Sequence, residues 1–375
     1  MIKQLKSEAM QERGKAAERD DLRQGRGVAT LEDVARAAGV HYSTVSRALD
    51  PNKVWRVNVV TRKHVQAVAR RMGYQRDMVA SGLKRGRTRT VAVIAGDLGN
   101  PNIAPVLRGI ANELEKVGLM SLISETQDDS ARLQRVLNHL IRRRVDAIIM
   151  TAARLSDAAK LRWIRRQGIP LVLAVQNVPG IRLPACTNDD HLGGALAAKH
   201  LLSLGHRRLA QLRGPMDINS CFVRAQGFTT TVAAAGAAEV VVRSTAPTGS
   251  IDEGALLMRE LLDKKGARPT GIFAHHDLMA FGALTAAEER GLSCPKDLSM
   301  VGYHNLPHDD RIVPPLTSIL QPREELGRIA AQILIGMLDS PGPPPTPRRM
   351  APTLVVRKST GPPPDRSVET VRKSN

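Results

Sequence analysis

From about residue 28 onward the chain shows two regimes of hydrophobic spacing. Between Leu31 and Met72, apolar positions recur every three or four residues, as in helices buried along one side. Val34, Ala35 and Ala38 form the stripe of a first helix, with Thr30 as its cap and Glu32 and Asp33 in a first turn where the helix dipole favours negative charge. Gly39 then supplies a tight turn. A second helix, about Ser43 to Leu49, buries Val45, Ala48 and Leu49 and leaves Tyr42, Ser43, Ser46 and Arg47 outward. A third, Thr61 to Met72, turns Val65, Val68, Ala69 and Met72 inward and Arg62, Lys63, Arg70 and Arg71 outward. A glycine turn between two amphipathic helices also makes an ordinary helical hairpin. The third, basic-faced helix tips the balance toward a compact helix-turn-helix headpiece whose second helix presents hydrogen-bonding side chains to a major groove.

From Thr90 the period changes. Short β-branched runs at 91–95, 121–124, 145–150, 170–174, 209–212, 240–242, 271–274 and 298–302 alternate with amphipathic stretches such as Ala131 to Arg142. That alternation implies βαβ units and parallel sheets. Eight to ten strands exceed a comfortable single sheet, so an α/β region of two Rossmann-like lobes is expected over residues 90–360. The division is then a polar extension at 1–27, the headpiece at 28–75, a hinge helix and linker at 76–89, the lobes, and a tail at 361–375. Both ends read as disordered.

Charge strengthens the nucleic-acid reading. The 375 residues carry 55 Lys and Arg against 36 Asp and Glu, a net +19, which attracts a polyanion. Residues 1–90 hold 20 of the basic side chains and nine of the acidic ones, so the excess is densest at the front. Cys186, Cys221 and Cys294 contain no CxxC pair and suit a reducing compartment. Met1 to Asp21 alternates charges without an apolar run, so export is not expected and a cytoplasmic protein is. A periplasmic binding protein would explain two lobes but not the headpiece. A nucleotide or hydrolytic enzyme would suit the α/β pattern, yet the glycine-rich dinucleotide fingerprint, the P-loop and the G-x-S-x-G elbow are all missing. No enzyme activity and no cofactor are expected. His304 and His308, followed by Asp309 and Asp310, raise the question of a metal, but Pro307 disfavours one helix face and no third ligand is fixed, so none is expected.

The ordered motifs make the resemblance specific. Thr30-Leu-Glu-Asp-Val-Ala-Arg-Ala-Ala-Gly-Val40, Ser43-Thr-Val-Ser-Arg-Ala-Leu49 and Gly73-Tyr74 resemble the headpiece of the lactose/galactose repressor family (LacI/GalR). Asn100-Pro101, Arg144-Val-Asp-Ala-Ile-Ile149, Gly168-Ile-Pro170, Gly205-His-Arg-Arg208, Arg224-Ala-Gln-Gly-Phe228, Asp277-Leu-Met-Ala-Phe-Gly-Ala283, Pro314-Pro-Leu-Thr317, Gln321-Pro322 and Leu354-Val-Val-Arg-Lys-Ser-Thr360 continue the likeness in order.

The resemblance implies a cytoplasmic, nucleoid-associated regulator, in all expectation a repressor. It would bind a near-palindromic operator as a homodimer, with a tetramer left open. Its DNA-binding positions would be Thr30, Tyr42, Ser43, Thr44, Ser46, Arg47, Ala80 and Leu83. Arg47 suits guanine's paired acceptors, and Tyr42 is open to a packing or phosphate role. Leu83 is the candidate minor-groove wedge of a hinge helix at 77–83. Arg76-Asp77 replaces the family's Pro-Asn there, and Gly82 weakens the helix. A small-molecule effector would sit between the lobes against Asn100, Ser220, Arg224, His276, His304 and Gln321. His276 and His304 stand where sugar-binding relatives carry Asn and Asp, and Arg224 pairs well with carboxylate or phosphate. An anionic effector and a pH response near neutrality are therefore expected.

Overall fold

The computed structural model of the chain describes residues 29–50, 53–74, 87–244, 249–340, 342–343 and 345–365. The chain divides after Gly86 into two compact units. The hinge positions Ala80 and Leu83 lie outside the described residues.

In the first unit, helix α1 (Leu31–Ala38) begins at a capping box in which Thr30 and Asp33 bond each other's backbone N–H. It ends at Gly39, whose φ of 61° is the left-handed geometry that favours glycine. Helix α2 (Tyr42–Ala48) starts one residue earlier than its pattern suggests, because His41 Nδ1 caps it by accepting the Ser43 N–H. Helix α3 (Val59–Arg71) starts two residues early, on the side-chain cap of Asn58. Val34, Ala35, Ala38, Val45, Ala48, Val65, Val68 and Ala69 close one core between the three helices, as their spacing predicts.

The second unit holds two six-stranded sheets. The first contains β1 (Thr90–Ala95), β2 (Met120–Glu125), β3 (Ala147–Met150), β4 (Leu171–Val175), β5 (Ala185–Asn188) and β11 (Arg348–Met350), in the order β11-β5-β4-β3-β1-β2. The second contains β6 (Arg208–Arg213), β7 (Ala238–Arg243), β8 (Gly271–Ala274), β9 (Ser299–His304), β10 (Thr317–Leu320) and β12 (Thr353–Val355), in the order β12-β10-β9-β8-β6-β7. All pairings are parallel except β10 with β12.

One face of the first sheet is covered by α4 (Ile103–Lys116) and α11 (Arg323–Asp339), the other by α5 (Ser130–Arg142) and α6 (Ala158–Arg166). The second sheet is packed by α7 (Asp190–Ser203) and α8 (Asn219–Ala234) on one face and by α9 (Ile251–Asp263) and α10 (Asp277–Glu288) on the other. The chain passes between lobes after β5, after β10 and after β11, leaving a cleft at the carboxyl ends of the strands, the usual ligand position in such folds.

Two sequence expectations need correction. Twelve strands are present among the described residues instead of eight to ten. Residues 361–365, expected to open a disordered tail, include Gly361, whose carbonyl accepts from His206 and Ser299 and whose N–H donates to Ser299.

Candidate functional site

Two surfaces carry function-bearing side chains, one in each unit. On α2, Val45 and Ala48 are buried, which turns Tyr42, Ser46 and Arg47 outward and leaves Ser43 and Thr44 half-buried at the same helix start. Tyr42 is 49% exposed and packs its ring 4.5 Å from that of His41, so it is a surface group, not part of the core. Ser43 Oγ lies 2.9 Å from His41 Nδ1. Thr30 is exposed, but its hydroxyl is committed to Asp33 at 2.5 Å. Its role as a cap is therefore visible in the fold. His41 was missed from sequence because capping is ordinarily done by Ser, Thr, Asp or Asn.

In the second unit the cleft between lobes has a volume of about 100 Å³ and opens to solvent at its mouth. Asn100, Ser220, Arg224, His276, His304 and Gln321 all line it. Arg224 is 2% exposed and its Nη2 donates to Asp190 Oδ1 at 2.8 Å. Nη1 donates to the His275 carbonyl. The guanidinium lies 3.4 Å from the Tyr303 ring centroid, and the Tyr303 hydroxyl donates to the same Asp190 oxygen at 2.8 Å. Burial raises the Asp190 carboxyl while Arg224 beside it lowers it. This ionic pair is built into the fold by glycine, since a Cβ on Gly193 would stand 2.3 Å from the Tyr303 hydroxyl.

His276 immediately precedes α10 without a side-chain cap bond to it, and His304 ends β9 at a φ of 111°. Their rings meet edge to face, 4.6 Å apart. Burial first, then the charge of Arg224, pushes His276 down to about 3, and burial with the same cationic surroundings drives His304 well below the usual range. Both are neutral hydrogen-bonding groups at physiological pH, so a pH response near neutrality does not come from them. His308 and Asp310 point to solvent while His304 and Asp309 are buried, and these four side chains do not converge on one point. Among the described residues no group of His, Cys, Asp and Glu is placed to hold a metal ion.

Sequence reasoning missed the groups that join the lobes. Arg154 Nη1 reaches Asp217 Oδ2 at 2.6 Å, and Leu155 N–H donates to the Asp217 carbonyl. Asn219 Nδ2 donates to Asn177 Oδ1 at 2.6 Å. Arg323 bridges Asn102 and the Asn305 carbonyl. No local pattern marks such partners, because each pair forms only once both lobes are folded.

Residues 30–77 match the model for bacterial regulatory proteins of the lacI family, and residues 198–360 match that for periplasmic binding protein-like domains. The HTH-type transcriptional repressor CytR of Escherichia coli K12 is 32% identical over 333 residues, spanning 88% of this chain and 96% of the relative. The chain belongs to the lacI family. It is a DNA-binding transcriptional regulator, as its relatives are, and not an enzyme. Among lacI-family structures, the Lac repressor dimer bound to operator and the anti-inducer ONPF superposes with a TM-score of 0.80 at 25% identity, covering 89% of this chain and 99% of that one. A family member from Enterococcus faecium with bound ribose is 31% identical, with a TM-score of 0.65 over 73% of this chain and 99% of its own. LacI-family regulators bind operator DNA and small-molecule effectors, and as bacterial DNA-binding repressors they act in the cytoplasm.

Proposed function

We propose that the chain represses transcription as a nucleoid-associated homodimer on a near-palindromic operator, reading base edges with Tyr42, Ser43, Thr44, Ser46 and Arg47. Thr30 would touch phosphate, and Ala80 and Leu83 would enter the minor groove. The observation that carries this reading is the placement of those α2 side chains opposite a closed apolar core, the arrangement a recognition helix needs. The operator-bound dimer among its structural relatives supports it.

For the effector, the geometry favours a neutral, hydroxyl-rich molecule over the anion suggested by sequence. Arg224 does not offer a free charge, because Asp190 already meets it at 2.8 Å. Asp97 and Asp128 also line the cleft, and these added carboxylates disfavour an anion. Asn100, Ser220, Gln321 and the two neutral imidazoles offer paired donors and acceptors for hydroxyls. The ribose-bound relative has the same kind of ligand. A thermal-shift screen of neutral sugars against sugar phosphates and small carboxylates tests this. Stabilisation by a neutral sugar is expected; stabilisation by acids alone would return the reading to an anion.

A further inference from the structure

The positive charge of the second unit is not spread evenly. α5 and α6 follow β2 and β3 in successive crossovers of one sheet and share a single core through Leu133, Leu137, Leu140, Leu161 and Ile164. Their N-terminal ends meet, where Ser130 Oγ donates to Asp157 Oδ1 at 2.6 Å and Lys160 donates to both. The helices thus run side by side, and their C-terminal ends share one edge of the lobe. Neither 130–145 nor 158–169 contains an Asp or Glu. Arg135, Arg142 and Arg143 from one stretch and Arg162, Arg165 and Arg166 from the other are exposed.

The neighbouring acids are already engaged. Asp129 caps α5, Asp157 is buried with Lys160, and Asp146 is bonded by the Thr88 and Arg89 N–H groups. Basic side chains in a last helical turn do offset the helix dipole, which accounts for Arg142, Arg165 and Arg166. It does not account for Arg135 and Arg162, which stand earlier on the same face.

We propose that this face is a second, sequence-independent contact for double-stranded DNA, in which these arginines lie against phosphates. Two features favour DNA over an acidic protein surface. No large apolar side chain of α5 or α6 is exposed, whereas a protein interface needs apolar or aromatic anchors at its centre. All six cations are arginine, whose planar fork pairs with phosphate through two parallel hydrogen bonds. Such a contact adds affinity without adding sequence discrimination.

The test uses the full chain on a random-sequence duplex, with log of the binding constant followed against log salt. Replacing the six arginines by glutamine should flatten the slope by about three or more, at roughly 0.9 for each phosphate left unneutralised, while the contribution of α2 remains. As a second measurement that needs no charge removal, a photoreactive amino acid at exposed position 138 of the otherwise unaltered chain should cross-link to the duplex, as one at position 46 on α2 should. An unchanged slope, or cross-linking at position 46 with none at 138, would overturn the proposal and leave the face as solvated surface.

Discussion

Asp190 holds one oxygen between the Arg224 guanidinium and the Tyr303 hydroxyl, with Arg224 and Asp190 both nearly buried. Removing one member of such a pair leaves an uncompensated charge away from water, which costs about 3–5 kcal/mol. Asp190→Ala should therefore lower the stability read from urea unfolding by that amount, and an unchanged midpoint would mean that Arg224 is not held as described. Asp309 makes the opposite kind of pair. Its buried carboxyl faces that of Asp277, whose oxygens accept from the Leu306 N–H and the Ser318 hydroxyl, so the two carboxyls can share a proton. Burial lifts Asp309 to about 6, above the roughly 3.9 of an unfolded aspartate. The folded chain therefore holds the proton more tightly than the unfolded one, so this contribution is complete below about pH 4 and lost as pH rises through about 6. Asp309→Asn should gain on the wild type in melting temperature as pH rises from about 4 to about 6 and hold that gain above it; parallel curves would contradict the shared-proton arrangement.

At the scale of elements, helices were the most legible parts, because a 3.6-residue apolar period survives in sequence wherever one side is buried. The strands missed show why the rest was not. β5, Ala-Cys-Thr-Asn, is buried along its whole length without the apolar run that marks a central strand, and β11 and β12 have three residues each. The close approach of α7 to α8 was also hidden, since the glycines that permit it look like helix weaknesses in sequence. In the fold, a Cβ on Gly227 would stand 1.9 Å from the His191 carbonyl oxygen, and one on Gly194 would stand 2.1 Å from that of Arg224. Gly227→Ala should destabilise by about 1–3 kcal/mol through overpacking, against the gain alanine brings to an open helix. A higher unfolding midpoint would show that these helices have room to part.

At the scale of the whole chain, the six residues named from sequence all line the cleft, but no sequence motif marks the bonds that join the two lobes across it. Arg154 to Asp217 and Asn219 to Asn177 join the lobes, and closure of this kind is what an effector biases. Asp217→Ala should weaken effector binding in calorimetry while leaving the far-ultraviolet spectrum unchanged; wild-type affinity would remove the pair from the closing mechanism. The proposed function rests on α2 reading a specific sequence. Sites recovered by genomic footprinting supply the duplex, and fluorescence anisotropy of the purified chain can compare it with a scrambled duplex of equal composition at fixed salt. At least about a thousandfold preference for the recovered site is expected, cut by about 1–3 kcal/mol in Arg47→Ala with much less change on the scrambled duplex. Equal affinity for both duplexes, or equal loss on both in the mutant, would contradict it.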